Sequence, residues 1–270
     1  MNQVRRLQQV YSAGEARSIY RMVMEQRFGL TQTDLLLGKD TELSPNDTTE
    51  LENIVQRLLL GEPVQYILGE CRFLGRQFHV SPEVLIPRPE TEELVELVLR
   101  TMPPASRILD IGTGSGCIAI SLALEGHLVT ATDVSEGALS VARKNAESLH
   151  ASVHFKHENI LHSTESQEQW NAIVSNPPYI CRSEAKEMEE LVLKNEPHLA
   201  LFVPDEDPLL FYQAIAQYGT KHLAVDGHIF FEINRLYGKD VMDMLAENGY
   251  RNIEMHIDQY GNNRIVEGCL

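Results

Sequence analysis

Two segments near the start of the chain repeat apolar side chains at helical spacing. They are Ala16, Ile19, Tyr20, Val23 and Met24, and then Leu51, Ile54, Val55, Leu58 and Leu59. The second is punctuated at both ends: Ser44 can cap it with Pro45 in its first turn, and Gly61 followed by Pro63 stops it. This spacing predicts a small helical domain over residues 1–65. Residues 66–82 read differently, with short apolar-polar runs at Cys71–Leu74 and Gln77–Val80 around Gly75, the pattern of a β-hairpin linker. Pro89 with Glu90, Glu92 and Glu93 then suits a helix N-terminus, where a missing N–H costs nothing and negative charge is favoured.

Strands and helices alternate from Arg107 onward, so residues 83–270 form a second domain. Apolar runs predict strands at Arg107–Ile111, Leu128–Asp133, Val153–Lys156, Asn171–Ser175, His228–Ile233, Ile253–Asp258 and Arg264–Gly268. Helical spacing falls between most of them, at Cys117–Leu124, Glu136–Leu149, Leu209–His222 and Lys239–Asn248. Such alternation predicts an α/β fold, a mostly parallel sheet with helices on both faces. The last two strands are separated only by Gln259–Asn263, too short for a helical crossover, so they pair antiparallel.

The 270 residues are enough for two domains, and an apolar share of 43% can build a core for each. The net charge of −16, from 23 basic and 39 acidic side chains, argues against a protein whose main task is gripping a phosphate backbone. No direct nucleic-acid partner is therefore expected. Cys71, Cys117, Cys181 and Cys269 are scattered without C-x-x-C or Cys/His ligand spacing, which predicts no metal site and suits a reducing cytoplasm. The opening MNQVRRLQQV carries no apolar targeting run, and no stretch reaches the length of a membrane span.

Four motifs carry chemistry. In ILDIGTGSGC, residues 108–117, Gly112, Gly114 and Gly116 remove side chains between a strand and a helix, where backbone can approach a ligand. Their G-x-G-x-G spacing departs from the dinucleotide fingerprint and favours a nucleoside without pyrophosphate, such as S-adenosylmethionine. Asp133 ends the next strand roughly 20 residues on, the place from which a carboxylate accepts from ribose hydroxyls; it could instead cap the helix near Glu136, but beside the glycine turn ribose binding is the better reading. Asn176-Pro177-Pro178-Tyr179 follows directly after another strand. Its prolines stiffen the backbone and withhold two N–H donors, leaving carbonyl acceptors beside the Asn176 amide oxygen. Converging acceptors suit a planar NH₂ group, with Tyr179 stacked on its face. Arg88, Glu90 and Thr91, in IPRPET, either contact ligand from the domain junction or cap the helix that follows.

Four segments, GEPVQYILGE with FLGRQFHV, VLIPRPETEELVE, ILDIGTGSG with TDVS, and IVSNPPYI, closely resemble the PrmC/HemK family of release-factor glutamine methyltransferases. The resemblance implies a helical substrate-recognition domain joined by a β-hairpin to a seven-stranded, Rossmann-like methyltransferase domain. It also implies methyl transfer from S-adenosylmethionine to the glutamine amide nitrogen in the Gly-Gly-Gln loop of class I peptide-chain release factors. Carried across, Gly112, Thr113, Gly114, Ser115 and Gly116 form the cofactor loop, Asp133 holds the ribose, and Asn176 to Tyr179 bind the substrate amide. Where many relatives carry an acidic residue for the adenine amine, this chain has Glu158-Asn159-Ile160, so Asn159 is expected to hydrogen-bond the ring and Ile160 to pack on it. The same amide site could serve a ribosomal-protein glutamine methyltransferase. Adenine-N6 methylation and a non-catalytic module on the same fold are weaker rivals, set against the acidic charge and the intact NPPY. A monomer is expected, because a large protein substrate has to reach the cleft.

Overall fold

Short polar side chains start the N-terminal helices, because a helix leaves its first N–H groups without partners of its own. In the computed structural model, which describes residues 3–162, 167–187 and 190–270, Ser12 accepts from the Glu15 amide while Glu15 accepts from the amide of Ser12. That reciprocal box opens α2 (Ala13–Phe28), after α1 (Gln3–Leu7). Thr31 and Asp34 repeat the device for α3 (Gln32–Leu36), and Ser44 with Pro45 opens α4 (Pro45–Leu59), followed by α5 (Val64–Leu68). Ala16, Val23, Met24, Leu51, Ile54, Val55 and Leu58 are buried in one cluster, with Ile19, Tyr20 and Leu59 partly buried against it.

The chain divides into two units, Met1–Glu70 with Glu190–Asn195, and Cys71–Glu189 with Glu196–Leu270. The helical unit thus runs past residue 65 and includes a segment from far along the chain. Lys194 and Asn195 donate to the carbonyls of Leu60 and Gly61 at 3.3 and 2.8 Å, partnering groups that the end of α4 leaves open. Residues 66–68, expected in the linker, complete α5 instead. The hairpin itself is β1 (Glu70–Phe73) and β2 (Arg76–His79), turned through Leu74 and Gly75 at φ of +45° and +73°. Two positive φ values suit a type I′ turn.

In the second unit α6 (Pro89–Thr101) precedes β3 (Arg107–Ile111), α7 (Cys117–Leu124), β4 (Leu128–Asp133), α8 (Glu136–Ser148), β5 (Val153–His157) and β6 (Trp170–Ser175). Two-residue strands β7 (Ile180–Cys181) and β8 (Phe202–Val203) pair with each other, and β9 (Leu223–Glu232), β10 (Arg251–Ile257) and β11 (Asn263–Cys269) complete the set. The seven-stranded sheet runs β10-β11-β9-β6-β3-β4-β5, parallel from β9 to β5 and antiparallel at β11 and β10. This is the mixed α/β sheet that the alternation predicts. It differs in detail: β9 begins at Leu223, five residues before the apolar run, with Asp226 at φ +57° and a register shift opposite Trp170–Ala172 absorbing the irregular start.

Asn145 of α8 ties this unit together. Fully buried, it donates to the carbonyls of His79 and Ser115 at 2.9 Å each and accepts from the His79 amide at 2.6 Å, joining hairpin, helix and glycine turn. Removing the amide takes a partner from three backbone groups, a buried one at Ser115 and two part-buried ones at His79. Asn145→Ala is expected to lower unfolding free energy by about 3 kcal/mol; a urea titration showing less than about 1 kcal/mol would refute the tie.

Candidate functional site

Parallel strands in register deliver their C-terminal turns to one level. Ile111 of β3 pairs with Thr132 of β4 on one side and Ser175 of β6 on the other, so Gly112, Asp133 and Asn176 leave the sheet side by side. β3 is the point where strand order reverses, and the crevice it opens is where α/β sheets bind ligands. There the unit holds a cavity of about 310 Å³, lined among others by Arg88, Thr91, Gly112–Ser115, Asp133, Asn159, Ile160 and Asn176–Pro178.

The glycine turn is built by backbone. Gly112, Gly114 and Gly116 sit at φ of +76°, +54° and +81°, a region that strains L side chains. Nothing lies within 4 Å of a Cβ added at Gly112 or Gly114, so these two leave open space beside the cavity. Gly116 is different: its Cβ would come 2.9 Å from Ile120 Cδ1 and 3.1 Å from Ala142 Cβ. It starts α7 and packs helix on helix, and it does not line the cavity.

Asp133 faces the turn and is held by it. The amides of Gly114 and Ser135 each donate to one of its oxygens at 2.9 Å. Burial raises its carboxyl above the ordinary value, opposed by those same amides. Each oxygen keeps acceptor capacity for a further donor. Beneath lies Asp110, fully buried and bonded by the Thr113 hydroxyl at 2.7 Å; burial pushes it up to about 7.

The NPPY segment is only partly as expected. Asn176, Pro177 and Pro178 line the cavity, and Asn176 donates from Nδ2 to Thr91 Oγ1 at 3.3 Å. Tyr179 does not line it. Its ring packs on the sheet's core and its hydroxyl donates to Glu232 at 3.2 Å, so stacking on a ligand, as the sequence reading had it, is replaced by a supporting place behind the segment. Arg88 lines the cavity while paired with Glu196, whose side chain is 2% exposed and which also accepts from the Ile86 amide at 3.4 Å. Thr91 is buried, donating to Glu232 Oε2 at 2.7 Å, and Glu90 stays outside the cavity at the start of α6. Asn159 caps its own turn by accepting from Leu161 N at 3.0 Å, and Ile160 presents apolar surface beside it.

Two residues to which the sequence alone assigns no role, Glu196 and Glu232, are buried acids behind the cavity. The second had a signal, a carboxylate closing the apolar run HIFF.

Residues 3–69 match the PrmC N-terminal domain and residues 90–201 the Methyltransferase small domain. A release factor glutamine methyltransferase of Bacteroides thetaiotaomicron is 48% identical over 263 residues, covering 96% of this chain and 95% of that protein. The chain belongs to the release factor glutamine methyltransferase family. A second member, from Flavobacterium psychrophilum, is 41% identical over 271 residues, with 98% of this chain and 95% of its own length covered. A methyltransferase crystal structure from Pyrococcus furiosus shares the fold at a TM-score of 0.56 and 17% identity, over 73% of this chain and 90% of that one. For a family member the donor set at the glycine turn is apt. Two uncrowded glycines, a half-buried carboxylate with acceptor capacity and the apolar Ile160 fit a nucleoside, the larger part of S-adenosylmethionine.

The raised Asp110 carboxyl predicts a pH dependence. Its folded pKa of about 7 lies above the unfolded value near 3.9, so folding takes up a proton. Its neutral form favours the fold at low pH, and that contribution is lost as pH rises through about 7. Asp110→Asn keeps an acceptor for Thr113 and carries no charge. Denaturant titrations from about pH 4 to pH 8 are expected to show the variant gaining stability relative to the parent as pH rises; a pH-independent difference would contradict the assignment.

Proposed function

We propose that the chain transfers a methyl group from S-adenosylmethionine to the side-chain amide nitrogen of the glutamine in the Gly-Gly-Gln loop of class I release factors. The observation that carries this reading is the placement of Asn176-Pro177 beside the glycine turn and Asp133, in one cavity, in a chain 48% identical to a release factor glutamine methyltransferase. Gly112–Ser115 and Asp133 would hold the cofactor, with Asn159 and Ile160 toward its base, while Gly116 lets the turn pack against α8. When bound, S-adenosylmethionine supplies an electrophilic methyl on a sulfonium sulfur.

A primary amide nitrogen is a poor nucleophile, since its lone pair is delocalised into the carbonyl. Asn176 Oδ1 and the backbone carbonyls around Pro177 and Pro178 accept from the substrate NH₂ and aim its nitrogen. As the nitrogen gains a bond its hydrogens become more positive, so these acceptors hold it more strongly in the transition state than before. The N-methylated cation is far more acidic than the amide and releases its proton to solvent. The residues therefore orient and stabilise, and proton removal need not come first.

Arg88, held by Glu196, stands at the rim for a substrate carbonyl or backbone. The helical unit, matched by the PrmC N-terminal domain, serves substrate docking in this reading. A monomer leaves the cavity open to a protein loop, and a net charge of −16 favours a basic protein surface over nucleic acid. A cytoplasmic setting agrees with four cysteines present as thiols. No helix among the described residues is long and apolar enough to cross a membrane.

The test is mass spectrometry of peptides after incubating the protein and S-adenosylmethionine with purified release factor, a ribosomal-protein mixture and DNA in parallel. One methyl on the Gly-Gly-Gln glutamine is expected; methyl solely on ribosomal protein or adenine would overturn the substrate assignment. Asn176→Ala is expected to cut transfer by about 100-fold or more while cofactor Kd stays within about 3-fold. Asp133→Ala is expected to weaken cofactor binding by about 10-fold or more, read by calorimetry.

A further inference from the structure

Behind the cavity a single buried carboxylate holds two parts of the site at once. Glu232, at the end of β9 and 1% exposed, accepts from the Thr91 hydroxyl through Oε2 at 2.7 Å and from the Tyr179 hydroxyl through Oε1 at 3.2 Å. Thr91 Oγ1 in turn accepts from Asn176 Nδ2 at 3.3 Å. Glu232 itself does not line the cavity, whereas Asn176 does.

With Glu232 ionised, the order of donors and acceptors along this chain is forced. A carboxylate can only accept, so a hydroxyl next to it must spend its one hydrogen on it. Thr91 is then left with lone pairs alone toward Asn176. A side-chain amide facing a pure acceptor turns its NH₂ to it, which sends its oxygen the other way. We infer that Glu232 is a positioning residue that, acting through the Thr91 hydroxyl, keeps the Asn176 side-chain oxygen turned toward the cavity and steadies Tyr179 behind it. The inference rests on the proposed amide methylation, which needs an acceptor at that point. A reversed Asn176 would offer N–H donors to a substrate NH₂, which is itself a donor.

Burial raises the Glu232 carboxyl above its ordinary value, and the negative charge of Glu90 adds to this; the Thr91 hydroxyl, the positive charge of Arg264 of β11 and the Tyr179 hydroxyl act the other way and favour the ionised form. Tyr212 donates to the backbone carbonyl of Glu232 at 3.1 Å, fixing the strand end that carries it.

Thr91→Val keeps shape and removes the hydroxyl, whereas Thr91→Ser keeps the hydroxyl; Glu232→Leu removes both acceptors at similar volume. With S-adenosylmethionine saturating and purified release factor as substrate, Thr91→Val is expected to lower kcat about 10-fold or more. Cofactor Kd should stay within about 2-fold, and Thr91→Ser should recover most of the loss. Glu232→Leu should cost at least as much, and the double variant no more than Glu232→Leu alone, since both changes break one chain. Thr91→Val at the parental kcat, Thr91→Ser as impaired as Thr91→Val, or losses that multiply in the double variant would each overturn the relay. Thermal unfolding of every variant identifies a folding failure, and if Glu232→Leu does not fold, the Thr91 pair decides alone. A wild-type arm that puts no methyl on the release-factor glutamine overturns the functional reading itself, whereas a methylating wild type with unaffected Thr91→Val overturns only this inference.

Discussion

Parallel neighbours leave a sheet on the same edge, and β3 stands between β4 and β6 with Ile111 level with Thr132 and Ser175. The meeting of the glycine turn, Asp133 and the Asn176–Pro178 segment follows from that pairing. A shift of one residue in either register would turn each strand's side chains to the opposite face and carry Asp133 or Asn176 away from the glycine turn. Burial on both faces of the central strands specifies the register, because Ile108, Leu109, Ala172, Ile173 and Val174 all lose their solvent there.

What the sheet brings close, buried polar groups then hold still. Asn145 joins the hairpin carbonyl of His79 to the glycine turn at Ser115, Glu196 anchors Arg88 and the Ile86 amide, and Glu232 gathers Thr91 and Tyr179. A buried polar side chain with its partners missing costs more than a good bond returns, so such groups act as locks when complete. The cavity has mobile chemistry in front, offered by the substrate, and rigid chemistry behind. That division suits a reaction on an amide nitrogen, where most of the help available is orientation and the holding of charge.

The helical unit also draws partners from far along the chain. Leu60 and Gly61 follow α4, and their carbonyls find donors in Lys194 and Asn195, more than a hundred residues later in the chain. No periodicity links those segments in the sequence. The positions that open helices are by contrast local, since Ser12, Thr31 and Ser44 act on amides three residues away.

Much of this protein was legible from its sequence. Apolar spacing yields the two major N-terminal helices and all seven strands of the main sheet, because burial of a face imposes periods of 3.6 and 2 that any reader of the chain can recover. Gly112, Gly114, Asp133 and Asn176–Pro178 were legible as well, being residue types that special backbone or acceptor chemistry demands at strand ends. Short helices such as α1 and α5 were not, for five residues hold little more than one period. Only the tertiary structure decided that Tyr179 stands behind the site, that Glu90 stays out of it, and that Thr91 is a link between two other side chains. The reason is distance along the chain: Glu232 is 141 residues from Thr91 and 53 from Tyr179. A hydrogen bond specifies its partner only after folding has brought the two together, whereas a periodic face is written into neighbouring positions from the start.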